Sequence, residues 1–335
     1  MANLQIVRKG ALLALVVCMG LSLINDSPIF PLLIALGSLV FVGLFATATV
    51  GWRSTLVFIA ITAVLSWIAE MVGTHTGILF GAYEYSGALG MKLGQVPALI
   101  VIAYFTKLYI ALAVARLIIG GETRPRGARL VGLSAAATLI MVGWDVATDP
   151  LASSVNGQWV WTEGGNYFGV PLQNFWGWGL LNFVMLTTYL IYDRYISPPR
   201  PTDEVVRRSF WGEPLVYWTL TAAPPILKPI LGQTPDSYSP LNIVEPSASS
   251  PEVAVWSLCL IAVFAMIMPI TFALVRLLGA DEPLPYADVQ SATADGIRNV
   301  AREPAVWLMV AAIAAYLVAV FALGLTGGYA PPLPS

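Results

Sequence analysis

Apolar residues run through this chain in long blocks, not in the alternating or 3.6-residue patterns of a fold that faces water on one side. A helix needs about 20 mostly apolar residues to cross a bilayer. Nine blocks approach that length: residues 7 to 25, 29 to 51, 55 to 76, 96 to 119, 129 to 147, 172 to 195, 211 to 231, 253 to 278 and 304 to 325. The pattern predicts a bundle of helices. The seventh block is the weakest, because Pro224, Pro225 and Pro229 remove backbone donors and are expected to kink or break a helix there. A re-entrant or half-length element packed on protein is the alternative at that place. The polar, charged stretches 197–213 and 279–303 read as cytoplasmic connectors, and the Pro- and Ser-rich stretch 232 to 252 as an outer loop.

Composition agrees with this pattern. Hydrophobic residues make up 57% of the chain and charged ones 11%, with a mean hydropathy of +0.75, far more apolar than a soluble globular domain. The expectation is an all-α polytopic membrane protein, a single transmembrane domain over 1–335 built as a bundle of about 8–9 transmembrane helices. The formal charge of -2 is nearly balanced and no basic patch is interleaved with aromatics, which argues against a nucleic-acid partner. Cys18 and Cys259 both sit in apolar runs, so neither a disulfide framework nor a metal site is expected. Arg8 and Lys9 precede an apolar core from Ala11 to Ile24 in the outline of a signal peptide, but no small-residue cleavage site follows. An uncleaved first helix is expected.

Charge orients the bundle. With a cytoplasmic N-terminus, fourteen of the seventeen Lys and Arg residues fall on the cytoplasmic side, and only Lys92, Lys107 and Lys228 do not. The excess of basic residues on the inner side supports that topology.

Two stretches, Trp67 to Pro97 and Trp144 to Trp178, then share a layout. Each starts with a Trp and a carboxylate near the end of an apolar run, passes through a Gly-rich aromatic connection, and re-enters an apolar run at Val-Pro. The first connection carries Tyr83-x-Tyr85 and the second Trp159-x-Trp161. Both are placed at the outer side by the topology above, as two halves of one site and as parallel repeats about an axis along the membrane normal. Chance alignment of Gly and aromatic residues is the rival explanation.

Carboxylates within spans cost about 2.5–3.5 kcal/mol each on insertion scales, so they call for a use. Glu70 lies two thirds of the way along the third block. Asp145 and Asp149 are four residues apart and share a helix face if the helix continues to Pro150. Two carboxyls on one poorly solvated face do not both ionise readily, so one is expected to hold its proton near neutral pH. The bland reading is that these acids cap helices, bond Trp indoles or pair with Lys107. For Glu84 and Glu163, in exposed connections, the bland reading is favoured. His75 is the only histidine, and with no second His, Cys partner or HExxH pattern there is no case for zinc. The aromatic residues read as an interfacial belt or, for those nearest the acids, as ring faces lining a place where positive charge develops.

Glu70-x-x-Gly73, FGAYEYSGALG from Phe80 to Gly90 with Val96-Pro97, DVATDP from Asp145 to Pro150, WVW from Trp159 to Trp161 and YFGVPLQNFWGW from Tyr167 to Trp178 together resemble the integral-membrane carotenoid biosynthesis family, which includes carotenoid hydratases of the CruF type and of the bacterioruberin pathway. The resemblance covers residues 60 to 195. It implies addition of water to a terminal isoprenoid double bond of an acyclic carotenoid, giving a tertiary alcohol with no cofactor. A protonated carboxyl delivering the proton, aromatic walls around the tertiary carbocation and a second carboxylate orienting water fit that chemistry. The acid is expected to be Asp145 or Asp149 and the water-orienting partner Glu70, with exchange of these roles open. Tyr83, Tyr85, Trp144, Trp159, Trp161 and Asn174 are candidates to shape the pocket, with Trp67, His75 and Lys107 as further substrate contacts. The expected partners are water and a hydrophobic carotenoid or other isoprenoid entering from the bilayer, in a prokaryotic plasma membrane. A proton-initiated cyclase uses the same acid and walls but excludes water. A non-enzymatic lipid or ion transporter is the alternative of another class; it predicts acids spread along a path through the membrane, whereas here they group at one side.

Overall fold

In a computed structural model the chain is described over residues 2–25, 27, 29–120, 123–197, 199–231, 251–279 and 284–286. The ninth apolar block, most of the loop at 232 to 252 and most of the connector at 279–303 lie outside the described residues. Among those described, eight long helices follow one another: α1 (Ala2–Ser22), α2 (Ile29–Val50), α3 (Trp52–Thr76), α4 (Ala98–Ile119), α5 (Ala128–Pro150), α6 (Leu172–Ile191), α7 (Arg208–Ile230) and α8. Helix α8 runs through Pro251–Ala262, a π-helical turn at Val263–Ile267 and Met268–Leu278.

Six of these, α1 to α5 and α8, are long and apolar enough to cross a membrane, and the protein is an all-α polytopic membrane protein. Helices α6 and α7 fall on expected blocks but are more polar, α6 through Gln173, Asn174 and Asn182 and α7 through Glu213 and Lys228.

Helix α4 lies at the centre, packed against α2, α3, α5, α7 and α8. Its Tyr104, Phe105, Leu108, Ile110, Ala111, Val114 and Ala115 are all buried, so a helix apolar on every side is an interior helix here. The chain direction alternates, and one end of the bundle collects the arginines. There Arg116 of α4 meets Asp193 just beyond α6 at 3.5 Å, Arg208 of α7 donates to Leu277 O of α8, and Arg8 of α1 meets Glu213 of α7.

Arg8 differs from its reading as a flanking cytoplasmic charge. It is 2% exposed, and its guanidinium makes a two-pronged contact with Glu213 (2.7 and 3.1 Å) and a third with Glu204 (2.6 Å). Arginine's planar fork suits a carboxylate held this way.

Helix α7 also differs from expectation. It is continuous from Arg208 to Ile230 with Pro214, Pro224, Pro225 and Pro229 inside it. Pro214, Pro225 and Pro229 are buried on the side that carries Trp218, Thr221 and Ala222, against α1, α4, α5 and α8. Packing on neighbouring helices holds the chain helical where local backbone bonding alone would release it.

The two aromatic connections carry the few extended segments. Tyr83–Tyr85 forms strand β1 and Trp159–Trp161 strand β4, while β2 (Lys92–Leu93) and β3 (Val96–Pro97) make a small hairpin ahead of α4. Strands β1 and β4 pair antiparallel, Tyr83 against Trp161 and Tyr85 against Trp159.

Candidate functional site

The site is built at the end of the bundle opposite the arginines. Helix α3 carries Glu70 and stops two turns later at Gly77, whose left-handed backbone (φ 67°) lets its N–H reach Gly73 O and turns the chain toward β1. Tyr83 and Tyr85 alternate with Glu84 in β1, so the two phenols share one face. Both donate to Glu70 Oε2, Tyr85 at 2.8 Å, and Tyr104 of α4 donates to Glu70 Oε1 at 2.7 Å. Burial pushes the Tyr83 and Tyr85 phenols well above their ordinary range, the charge of Glu70 pushes further, and Asp149 adds to this for Tyr85. Both therefore remain O–H donors.

The second group forms at the end of α5. That helix runs on through Pro150 and continues as a π-helical turn, Leu151–Val155, so Asp145 and Asp149 do face the same way. Pro150 has no N–H to offer Val146 O, four residues back. The Tyr167 hydroxyl donates to that carbonyl instead, at 3.1 Å. Asn174, in the first turn of α6, donates through Nδ2 to Asp145 Oδ2 (3.0 Å) and to Asp149 Oδ2 (2.6 Å). Trp159 Nε1–H donates to Asp149 Oδ1 at 3.0 Å.

Two aromatic bridges join the groups. Tyr85, bonded to Glu70, sets its ring edge-on to Trp159 at 5.9 Å, and Trp159 is the donor to Asp149. Tyr104, also bonded to Glu70, stacks on Trp178 at 4.6 Å and 16°, and Trp178 leans on Trp144, the neighbour of Asp145. Tyr104 and Trp178 each follow their Val-Pro by seven residues (104 − 97 and 178 − 171), and Pro97 and Pro171 hold nearly the same backbone angles before their helices (φ −63°, ψ 137° and φ −64°, ψ 135°). The two stretches thus meet strand on strand and ring on ring, in the manner of segments related by a local twofold.

Glu70, Asp145, Asp149 and Asn174 are each at most 3% exposed. Tyr83, Tyr85, Trp144, Trp159 and Trp161 surround them, Trp161 by packing on Tyr83 at 5.0 Å. The structure does not bring Trp67 or His75 into this cluster, and it sets Lys107 at the cluster's edge, against Trp144. Trp67 is 38% exposed and donates to Leu93 O. His75 is exposed, its Nδ1 at 2.7 Å from Met71 O. Lys107 does not pair with the acids: its ammonium donates to Tyr217 Oη at 3.2 Å and lies over the rings of Trp144 and Tyr217. Glu84 and Glu163 are exposed.

Tyr104 carries little signal in the sequence: it is one of three hydroxyls in its apolar run, with Thr106 and Tyr109, and which carboxylate it meets depends on how α4 is rotated against α3. Tyr167 reads in the sequence only as one more aromatic, although a proline inside a helix does imply that some donor must serve the carbonyl it deserts. Among the described residues no three His, Cys, Asp or Glu side chains are grouped so as to hold a metal ion.

Chemically, the arrangement offers one carboxylate held by three phenols, a carboxyl pair sharing one amide donor, and aromatic faces between them. Buried, prearranged donors and acceptors of this kind act strongly on charge that develops between them, because little water screens it.

Comparison with known proteins adds the family. Neither a curated protein nor a solved structure gives a match. The family model described as "Carotenoid biosynthesis protein" matches residues 29–222, a span that takes in α2 and most of α7 and so reaches beyond 60 to 195 on both sides. The match covers more than half of the chain and all of the carboxyl cluster, and the chain therefore belongs to the carotenoid biosynthesis protein family.

Proposed function

We propose that this protein, which acts in carotenoid biosynthesis, is a hydratase that adds water to a terminal isoprenoid double bond of an acyclic carotenoid. The observation that carries the reading is the convergence of Glu70 and the Asp145/Asp149 pair on one aromatic cluster.

The pair supplies the acid. One of its O–H groups adds its proton to the terminal alkene, forming a C–H bond and leaving a tertiary cation on the neighbouring carbon. The faces of Tyr85, Trp159 and Trp178 stabilise that cation by about 0.5–2 kcal/mol each. Water then forms the C–O bond, and its surplus proton passes through the carboxylates back to the acid, so the net change is one water added. Glu70 suits the water-orienting role, because the three phenols around it all donate and leave it purely an acceptor. No redox change occurs, and the step asks for no cofactor.

The long apolar substrate enters from the bilayer, and its end group reaches the acids where half-buried Tyr85 and Trp159 part. In the same reading the N-terminus is cytoplasmic, the cluster lies in the outer half of a prokaryotic plasma membrane, and the arginine end faces the cytoplasm.

Expression in a host that makes acyclic carotenoids but lacks this enzyme tests the proposal. The expected pigment is heavier by the mass of water, and Glu70→Ala and Asp145→Ala variants present in the membrane at normal level yield none. A pigment of unchanged mass with a new ring would establish cyclisation instead, and full turnover in both variants would remove the carboxyl mechanism.

A further inference from the structure

A seam of buried polar side chains leads from the carboxyl cluster toward the arginine end. On α5, Thr138 and Ser134 lie within about 20° of Asp145 around the helix, at about 10 and 16 Å along it. On α6 and its continuation, Asn182, Tyr189 and Asp193 share a face about 60–100° round from Asn174, at about 12, 22 and 28 Å along the helix. That face is on the α4 side of the seam, where Tyr189 sets its ring edge-on to Phe58 of α3 at 4.6 Å and Asp193 meets Arg116. The two helices pack against each other and are joined at one end by the bonds from Asn174 to the aspartates. All five side chains are buried. Each presents an oxygen with no hydrogen-bond partner among the described residues: Ser134 Oγ, Thr138 Oγ1, Asn182 Oδ1, Tyr189 Oη and Asp193 Oδ1. Of the buried side-chain oxygens in that condition among the described residues, only Thr202 Oγ1 lies elsewhere.

Leaving a buried polar group without a partner forfeits its hydration with nothing in return. Five in one interhelical seam are not a packing accident, and buried water making two to four bonds is the usual way such groups are satisfied. The far end of the seam also opens. Arg116, paired with Asp193, lines a small cleft together with Thr123, Arg129 and Leu133, the neighbour of Ser134.

We infer that the α5–α6 seam is a water route that runs from the Arg116 cleft past Asp193, Tyr189, Ser134, Asn182 and Thr138 to the Asp145/Asp149 pair. This rests on the hydration reading and deepens it. One water enters per turnover; its oxygen and one hydrogen stay on the product as hydroxyl, and its other hydrogen replaces the proton the acid has given up. A cyclase would gain nothing from such a route, since water at the cation diverts its product.

Radiolytic hydroxyl labelling of the full-length protein in lipid nanodiscs, read by mass spectrometry without substrate, tests the seam. Tyr189 should be oxidised about tenfold faster than Tyr217, and Met141 and Met185, which lie on the seam faces, about tenfold faster than Met266, a difference of about 1.4 kcal/mol in effective barrier. All five are 0% exposed, so equal rates within each residue type would overturn the route. The double variant Thr138→Val/Asn182→Leu should hydrate about tenfold more slowly with unchanged apparent substrate affinity, while Thr138→Ser keeps the normal rate. Full-rate hydration by the double variant would overturn the route as a supply of water. Because the labelling involves no substrate, a dry seam leaves the hydratase reading standing, and a wet seam without hydrated pigment removes only that reading.

Discussion

At the scale of single residues, the candidate site is defined by who donates to whom. Glu70 receives three phenols, and two of them come from a ribbon whose position depends on another stretch of chain. Tyr104 is the one phenol contributed by a helix, and it is also stacked on Trp178. Tyr104→Phe keeps the ring and the stack and removes a single hydrogen bond to a buried carboxylate, a loss of about 1.5–3 kcal/mol. The expected outcome is a fall in hydration rate of at least about tenfold with normal membrane levels. An unchanged rate would show that two donors suffice to hold Glu70. The carboxylates themselves were readable from sequence, because an acid inside an apolar run is costly wherever it sits. The partners of those acids were not, because a hydroxyl inside an apolar run carries no sign of the direction in which it points. His75 stays outside the cluster and Lys107 reaches only Trp144 at its edge for the same reason: each is near in sequence to a site residue but points away from the acids, His75 outward and Lys107 toward Tyr217.

At the scale of elements, close approach and buried charge decide how the helices meet. Gly177 of α6 lies against the loop after α3, and a Cβ there would stand 2.2 Å from Leu79 O. Glycine is thus what lets α6 come near enough for Asn174, one turn earlier, to reach the aspartates. At the other end, Arg8 ties α1 to α7 through Glu213 and to the connector through Glu204. Removing one member of a buried pair leaves the other charge uncompensated, at a cost of about 3–5 kcal/mol. Arg8→Ala is therefore expected to lower the thermal unfolding midpoint by many degrees in scanning fluorimetry, whereas Lys9→Ala, an exposed neighbour, is expected to leave it unchanged. Equal midpoints for the two variants would assign the Arg8 cluster no role in joining the helices. Helix boundaries followed hydropathy closely, except that four prolines did not interrupt α7, where tertiary packing outweighs local preference.

At the scale of the whole molecule, the carboxyl cluster and the arginines occupy opposite ends of an alternating bundle. With basic residues retained inside, reporter fusions at the N-terminus and in the connector at 197–213 should report the cytoplasm, and one in the exposed turn at Gly87 the opposite side. The reverse pattern would invert the proposed orientation and put the site in the inner half. The polarity matters for the chemistry, because it decides from which aqueous side the α5–α6 seam would draw water.

What the amino-acid order determined unaided was the set of apolar helices, the acids buried in them and the aromatic company those acids keep. These are matters of local cost, since an apolar run of membrane length or a carboxylate within it has the same consequence in any fold. What only the tertiary structure decided was which of these groups touch. The pairing of Tyr83–Tyr85 with Trp159–Trp161, the arrival of Tyr104 at Glu70 and the meeting of Asn174 with both aspartates each require segments distant in sequence to settle at one rotation and one depth. Rotation and depth are set by side-chain packing between helices, which no single segment encodes.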